Sequence, residues 1–119
     1  MSVFTKAKLS GSTDGKGILI TTIATPGDLI HTAVAGVVEN TFDEVWLWAY
    51  NSHVADLIVT VELGGVTSPD NNIVMSIPYK AGPVPIVPGF ILQNGLLVRV
   101  FCASANLVTI TGFVNQIRP

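Results

Sequence analysis

The chain has few charged residues, a single cysteine and no long apolar run, and each shortage excludes a class of protein. Only 12% of the residues are charged, against roughly 25% in typical soluble domains. Because Cys102 is the only cysteine, no intrachain disulfide can form, and no cysteines and histidines cluster with the spacing of a zinc site. No stretch approaches the roughly 18 consecutive apolar residues of a membrane-spanning helix.

Basic residues are also few, and they are scattered along the chain. The six lysines and arginines form no run or stripe that could follow a phosphate backbone, and the net charge is −2. The sequence therefore predicts neither nucleic acid nor membrane as a partner. Residues 1–17 lack the continuous apolar segment of a signal peptide, so the sequence predicts no signal peptide there.

Apolar residues are what the chain has in excess. They make up 49% of the 119 positions, which leaves too few charges to cover the surface of an isolated domain. A soluble protein of this composition is expected to bury part of its surface against other protein. The composition therefore favours an oligomer or a component of a larger assembly.

Short apolar runs separated by turn residues predict strands, and no segment has helical periodicity. Asn94-Gly95 between two apolar runs predicts a hairpin, and four prolines between residues 78 and 88 predict an edge strand or a long loop. The predicted fold is all-β, a single antiparallel β-sandwich over residues 17–119, jelly-roll-like with about eight strands. The strands are predicted near 17–24, 28–34, 42–51, 55–63, 72–79, 86–92, 96–103 and 107–117.

Residues 1–16 are polar, with glycine and serine towards their end, and predict an N-terminal arm or a frayed first strand. They carry too few apolar groups to form a core of their own. We therefore expect the arm to become ordered only against a neighbouring subunit or partner. Its candidate contact residues are Val3, Phe4, Lys6, Lys8 and Leu9.

The stretch "VWLWAY", residues 45–50, is apolar on both faces of the predicted strand. Side chains alternate along a strand, so its aliphatic residues share one face and its aromatic residues the other. We expect the aliphatic set inside, because it then matches the aliphatic residues of the next strand. The parity of the turn leaves this open, since a one-residue slip exchanges the faces and would place both tryptophans in the core.

The same alternation assigns faces in the later strands. Asp56, Thr60 and Glu62 are expected outside, and the outward Arg99 marks its own face as solvent-facing. Aromatic residues on outward faces are the natural anchors of a contact between copies. The candidate interface of a homo-oligomer therefore consists of Trp46, Trp48, Tyr50, Phe101 and Phe113.

No catalytic, cofactor-binding or metal-binding motif is present. "SGSTDGKG" at residues 10–17 lacks the glycine and serine positions of a phosphate-binding loop. His31 and His53 have no third ligand nearby in sequence, and Asp43 and Glu44 face opposite ways on a strand, so neither pair forms an active site alone. The sequence therefore predicts a protein that is not an enzyme.

Two segments carry a resemblance to a known class. "GDLIHTAVAGVVENTFDEVWLWAYNSHVADLIVTVELGG" is followed by "GFILQNGLLVRVFCASANLVTITGFVNQI". These segments show four features in order: a threonine before "AG", a strand ending in asparagine, a "VTV" strand, and an "L…G..L.V..S…V.I.G.V" pattern. Over residues 17–117 this layout resembles small virion proteins of tailed bacteriophages, most of all capsid decoration, or cement, proteins.

The resemblance implies a non-enzymatic β-sandwich on the outer surface of a phage capsid. Such proteins are made in the host cytoplasm, bind the major capsid protein, often as trimers, and stabilise the shell by bridging capsomers. The N-terminal arm would then contact the capsid. The alternative is a carbohydrate-binding or receptor-binding module of the tail or fibre, because exposed tryptophan and tyrosine also stack on sugars.

Overall fold

The computed structural model describes residues 3–119, which form strands and no helix. The strand predicted over residues 42–51 has those bounds, the strand predicted over 86–92 begins two residues earlier, at Val84, and the other predicted strands are shorter or shifted by a few residues. The nine strands of the described chain are β1 (Val3–Lys8), β2 (Ile18–Leu19), β3 (Asp28–Thr32), β4 (Phe42–Asn51), β5 (Leu57–Leu63), β6 (Asn72–Ile77), β7 (Val84–Leu92), β8 (Leu97–Cys102) and β9 (Val108–Arg118).

The strands form two antiparallel sheets that pack face to face. Sheet A has the order β1-β9-β4-β7. The short β2 pairs with Thr109 and Ile110 near the start of β9, and β1 pairs with residues 113–118 of the same strand. Sheet B has the order β3-β8-β5-β6. β1 and β2 share one edge of sheet A, so its five strands fill four positions beside the four strands of sheet B, which is the arrangement of a jelly roll. The predicted antiparallel β-sandwich is confirmed.

Strands that follow each other in sequence are often placed in opposite sheets. β4 and β5 do not pair, but face each other across the core. Asn94 and Gly95 have φ values of 63° and 64°, the positive values that an Asn-Gly turn requires. Their turn nevertheless carries the chain from β7 in sheet A to β8 in sheet B, so the predicted hairpin is wrong. A tight turn fixes the local chain direction, whereas core packing decides which sheet receives the next strand.

The core lies between the inner faces of the two sheets. Val45, Leu47 and Ala49 of β4 are fully buried there, which confirms the aliphatic face of this strand as the inner one. β5, β8 and β9 supply the opposing and neighbouring aliphatic residues. The tryptophans of β4 therefore do not fill the core.

The N-terminal segment differs from the expected arm. β1 pairs antiparallel with β9 of the same chain, from Val3 opposite Arg118 to Lys8 opposite Phe113. Leu9 is buried in the core, and the amide of Gly11 donates to the carbonyl of Ile30 over 2.9 Å. Main-chain bonds within the chain thus order residues 3–16 without a partner. The first two residues of the predicted arm lie outside the described residues.

The outer face of sheet B is partly covered by the chain itself. Glu62 and Thr60 point outward as predicted but are buried, and residues 25–27 lie over Glu62 on this face. The Glu62 carboxylate accepts hydrogen bonds from the Thr25 hydroxyl and from the Gly27 amide, the latter over 2.7 Å. The expectation of solvent-facing side chains at these two positions is therefore wrong.

A buried polar network ties four segments together beside the core. The His31 Nδ1 atom accepts from the Ser10 amide at 3.0 Å, so its Nε2–H donates to the Asp43 carboxylate at 2.7 Å. Arg118 donates to the second oxygen of Asp43 at 3.2 Å and to the carbonyl of Phe42 at 2.8 Å. The network joins the β1–β2 connection, β3, β4 and β9. His31 and Asp43 are both buried, so this part of the network is shielded from solvent.

Candidate interaction face

The outer face of sheet A carries the aromatic residues of β4. Opposite β4, β9 places Phe113 beside Trp46, Thr111 beside Trp48 and Thr109 beside Tyr50. Nothing in the described chain forms a second layer over these side chains. We call the outward side chains of Trp46, Trp48, Tyr50 and Phe113 the aromatic face.

Three of these rings form one cluster. The centroids of Trp46 and Trp48 lie 6.4 Å apart, those of Trp46 and Phe113 6.3 Å, and those of Trp48 and Phe113 5.9 Å. The ring planes differ by only 18° to 31°. Centroid distances in this range are favourable for aromatic pairs. The three rings therefore form one continuous apolar surface.

Gly89 makes room for Trp46 on the neighbouring strand. A Cβ atom at Gly89, whose φ is +80°, would lie 2.7 Å from the Trp46 ring. The pairing of β4 with β7 also shifts register at this point, between Val45 and Trp46. A glycine beside a register shift lets the indole pack against the main chain of β7. The tryptophan is thus half-buried although no second layer covers it.

A carboxylate at the edge of the cluster orients Trp46. The indole Nε1–H donates to Glu44 Oε1 at 2.6 Å, and the Asn115 amide donates to the same oxygen at 2.9 Å. The Asn115 and Trp46 hydrogen bonds lower the pKa of Glu44 below its ordinary value of 4.5, because they stabilise the ionised form. Glu44 is therefore charged at neutral pH beside an apolar surface.

The lowered pKa gives a testable pH dependence. A carboxyl whose pKa is lower in the folded state stabilises the fold above its unfolded pKa, and this contribution is lost as the pH falls through the folded pKa. At pH 7 we expect Glu44→Gln to have a lower unfolding free energy than wild type, by less than about 1 kcal/mol. The difference is small because Glu44 faces solvent. The difference should begin to shrink as the pH falls below 4.5 and vanish once the pH is below the lowered pKa of the folded state. Urea unfolding of both proteins across this range measures it, and a pH-independent difference would contradict it.

Charged and apolar residues surround the cluster. The Lys6 ammonium lies 4.3 Å from the centroid of the Phe113 ring, a favourable cation–π distance. Phe4 on β1 is 68% exposed, and Leu19 and Ile91 are also exposed on this side of the sheet. The aromatic face is therefore the centre of a wider apolar surface that carries a few charges.

The structure separates the predicted interface residues into two groups. Trp46, Trp48, Tyr50 and Phe113 share the outer face of sheet A. Phe101 also points outward, but it lies opposite Thr60 in sheet B, on the other side of the sandwich. The outward orientation of Phe101 was predictable from alternation, whereas its distance from the other aromatic residues follows only from the topology.

The predicted arm residues also separate. Leu9 is in the core and cannot reach a partner. Val3, Phe4, Lys6 and Lys8 lie along β1 at the edge of sheet A and are exposed. This edge and the aromatic face are continuous, because outward β1 residues lie beside outward β9 residues. No sequence pattern predicted that Glu44 and Asn115 meet at the cluster, since their contact depends on the β4–β9 register.

The described residues hold no group of three or more histidine, cysteine or acidic side chains placed to bind a metal ion. A groove of about 230 Å³ lies at one end of the sandwich, lined by Gly64, Gly65, Val66, Leu96 and Arg99 among others. It is mainly apolar, and no histidine, cysteine or carboxylate lines it. Over residues 3–119 there is no helix long and apolar enough to cross a membrane.

Comparisons with protein-family models, with curated proteins and with solved structures returned no match to this chain. The geometry of the aromatic face and the resemblance in sequence layout are therefore the two observations that bear on function.

Proposed function

We propose that this chain is a non-enzymatic virion structural protein that binds the outer surface of a phage capsid, contacts the major capsid protein and stabilises the shell by bridging capsomers. It acts as a homo-oligomer, expected to be a trimer, in which the aromatic face is buried between copies. The observation that carries the proposal is this continuous apolar surface on a sandwich whose core is already complete.

The area of the outer side of sheet A, at whose centre the aromatic face lies, supports the burial of this surface against another protein. β4 has ten residues, which at about 3.3 Å each and four strand widths of about 4.8 Å give roughly 600 Å². A specific interface removes about 800 Å² from each partner, including the relief of its side chains. Aromatic residues at the centre and charges at the margin are the usual composition of such an interface. The flat area of this outer side alone is thus about three quarters of what a specific interface removes from each partner, and the relief of its side chains adds to it.

The mechanism of shell stabilisation is linkage. A protein that binds the assembled lattice more tightly than free capsomers shifts the equilibrium towards the lattice by its binding free energy. No reaction or bound cofactor is required for this effect. A weakly charged sandwich with an open apolar face is suited to such a role.

A tail-associated or fibre-associated carbohydrate-binding module is the second candidate. Near-parallel Trp46, Trp48 and Phe113 rings beside the Glu44 carboxylate resemble the apolar platform and polar margin that sugars use. The Glu44 oxygen is, however, already bonded to two donors of the chain itself. This leaves fewer free polar atoms to select a sugar, and we favour the structural role.

Fractionation distinguishes the two roles. The purified protein is mixed with tailless capsids, with isolated tails and with immobilised host glycans, and the bound fraction is measured by sedimentation or retention. We expect co-sedimentation with tailless capsids. Binding to tails or glycans without binding to capsids would contradict the proposal and support the second candidate.

Trp48→Ala tests the aromatic face. Truncation of a central aromatic residue at an interface commonly costs about 2 kcal/mol or more, equivalent to about thirty-fold weaker association. We expect a folded protein of lower average mass than wild type, with reduced capsid retention. Mass measurement, thermal melting and capsid co-sedimentation check this result.

Phe101→Ala is the matched control, because Phe101 is a half-buried aromatic residue on the opposite side of the sandwich. It should leave mass and capsid binding unchanged. If Trp48→Ala unfolds the chain, or if both variants reduce association equally, the aromatic face is not the interface.

A further inference from the structure

The open edges of the two sheets differ in how they are protected. β7 is interrupted by Pro85 and Pro88 and by two register shifts in its pairing with β4. β3 is covered by the β1–β2 connection, in which the Gly11 amide bonds to the carbonyl of Ile30. β1 carries Lys6 and Lys8. Prolines, bulges, covering loops and lysines are the usual means of preventing strand addition.

β6, at the edge of sheet B, has none of these features. Its sequence, "NIVMSI", contains no charge and no proline, and its pairing with β5 is regular over all six residues. Within residues 3–119, β6 pairs with no other strand. An apolar edge strand of this length is a template for a further strand.

The register identifies the free main-chain groups of β6. The amide of Leu63 donates to the carbonyl of Asn71, so alternation directs the polar groups of Ile73, Met75 and Ile77 towards β5. The N–H and C=O groups of Val74 and Ser76 then point away from the sheet. None of the hydrogen bonds among the described residues involves these groups.

We propose that β6 pairs antiparallel with β6 of a second copy about a two-fold axis at Val74. In this register Val74 faces its own counterpart and Asn72 faces Ser76 of the other copy, so every outward-pointing pair is matched. The contact is isologous, because each copy contributes the same edge, that of β6. Since the contact uses the β6 edge of both copies, it closes as a dimer and does not extend into a fibre. The two B sheets become one eight-stranded sheet.

Side-chain burial supports a protein partner at this edge. Val74 is 61% exposed, and the adjacent Ile58 of β5 is exposed on the same face. Ile73 and Met75 point towards the core but are only partly buried, because β6 is the last strand of the sheet. A second β6 would cover both the outer and the inner apolar residues.

Val74→Lys tests the dimer, since it places two lysines opposite each other across the two-fold axis. Like charges directly opposite in a sheet are destabilising. Val38→Lys is the matched control, because Val38 is also 61% exposed but lies in a loop outside the strands. Val74→Pro is a second variant that removes the outward N–H and leaves the β5 pairing intact.

The measurements are made without capsids in a Trp48→Ala background, so that association through the aromatic face does not contribute. We expect a mass of two chains when Val74 is unchanged and also in the Val38→Lys control. We expect a mass of one chain in Val74→Lys and in Val74→Pro. The amides of Val74 and Ser76 should be protected from hydrogen exchange in the dimer, and the Ser76 amide should exchange freely in both Val74 variants. A monomer with an unchanged β6, free exchange at both amides, or a dimer that survives Val74→Pro would overturn the proposal.

Discussion

Gly112→Ala is expected to cost about 3 kcal/mol or more of unfolding free energy, at the severe end of the range for overpacking. A Cβ atom at this position would lie 2.0 Å from the main-chain oxygen of Trp46. Gly112 pairs with Leu47 at the centre of the β4–β9 ladder, so relief of the clash requires the two strands to separate. Chemical denaturation should show this loss, with a change in tryptophan fluorescence because the main chain of Trp46 must move.

Gly36→Ala separates this clash from the general cost of replacing glycine. Gly36 has a φ of +83°, and a Cβ atom there would meet no other atom within 4 Å. Its replacement should cost only the roughly 1–2 kcal/mol of a left-handed backbone conformation. Equal losses in the two variants would show that the close approach of β9 to β4 does not limit stability.

Asp43→Asn is expected to lower the unfolding free energy by about 3 kcal/mol, at the lower end for a broken buried ion pair because Arg118 is partly exposed. The substitution removes the negative charge that faces Arg118. It also leaves a single amide oxygen to accept the hydrogen bonds that His31 and Arg118 donate to the Asp43 carboxylate. Since Asp43 joins β3, β4 and β9, the loss should affect cooperative unfolding rather than one loop. Thermal and chemical denaturation at pH 7 measure it.

The adjacent Glu44→Gln provides the comparison for Asp43→Asn. Both substitutions neutralise a carboxylate that accepts two hydrogen bonds, but Glu44 lies on the outer face and Asp43 is buried. We expect Glu44→Gln to cost less than about 1 kcal/mol. A similar cost at the two positions would mean that the buried network contributes no more than a surface contact.

The faces of β4 were predictable because its pattern is complete over the whole strand. Val45, Leu47 and Ala49 alternate with larger aromatic residues, and an aliphatic inner face packs well against the other sheet. The pattern gives the orientation of each side chain but not its neighbours. Phe101 was therefore placed on an outward face correctly, yet grouped with residues on the other side of the sandwich.

Features held by main-chain bonds were not predictable from side-chain patterns. β1 contributes little to the core, because its side chains are mostly exposed and its position depends on the ladder with β9. Glu62 has the outward parity of a surface residue, and it is buried where residues 25–27 lie over it. Both outcomes depend on contacts between distant segments, which local sequence does not encode.

The central position of β9 has a consequence for how the chain folds. In sheet A, Asn51 pairs with Val108 and Phe42 with Ile117, so the main ladder joins the middle of the sequence to its last strand. Proteins dominated by such distant pairings fold slowly, in about milliseconds to seconds. During synthesis, the edge of β4 that pairs with β9 has no partner until residues 108–118 emerge. The nascent chain is therefore exposed to aggregation until the ribosome has delivered β9.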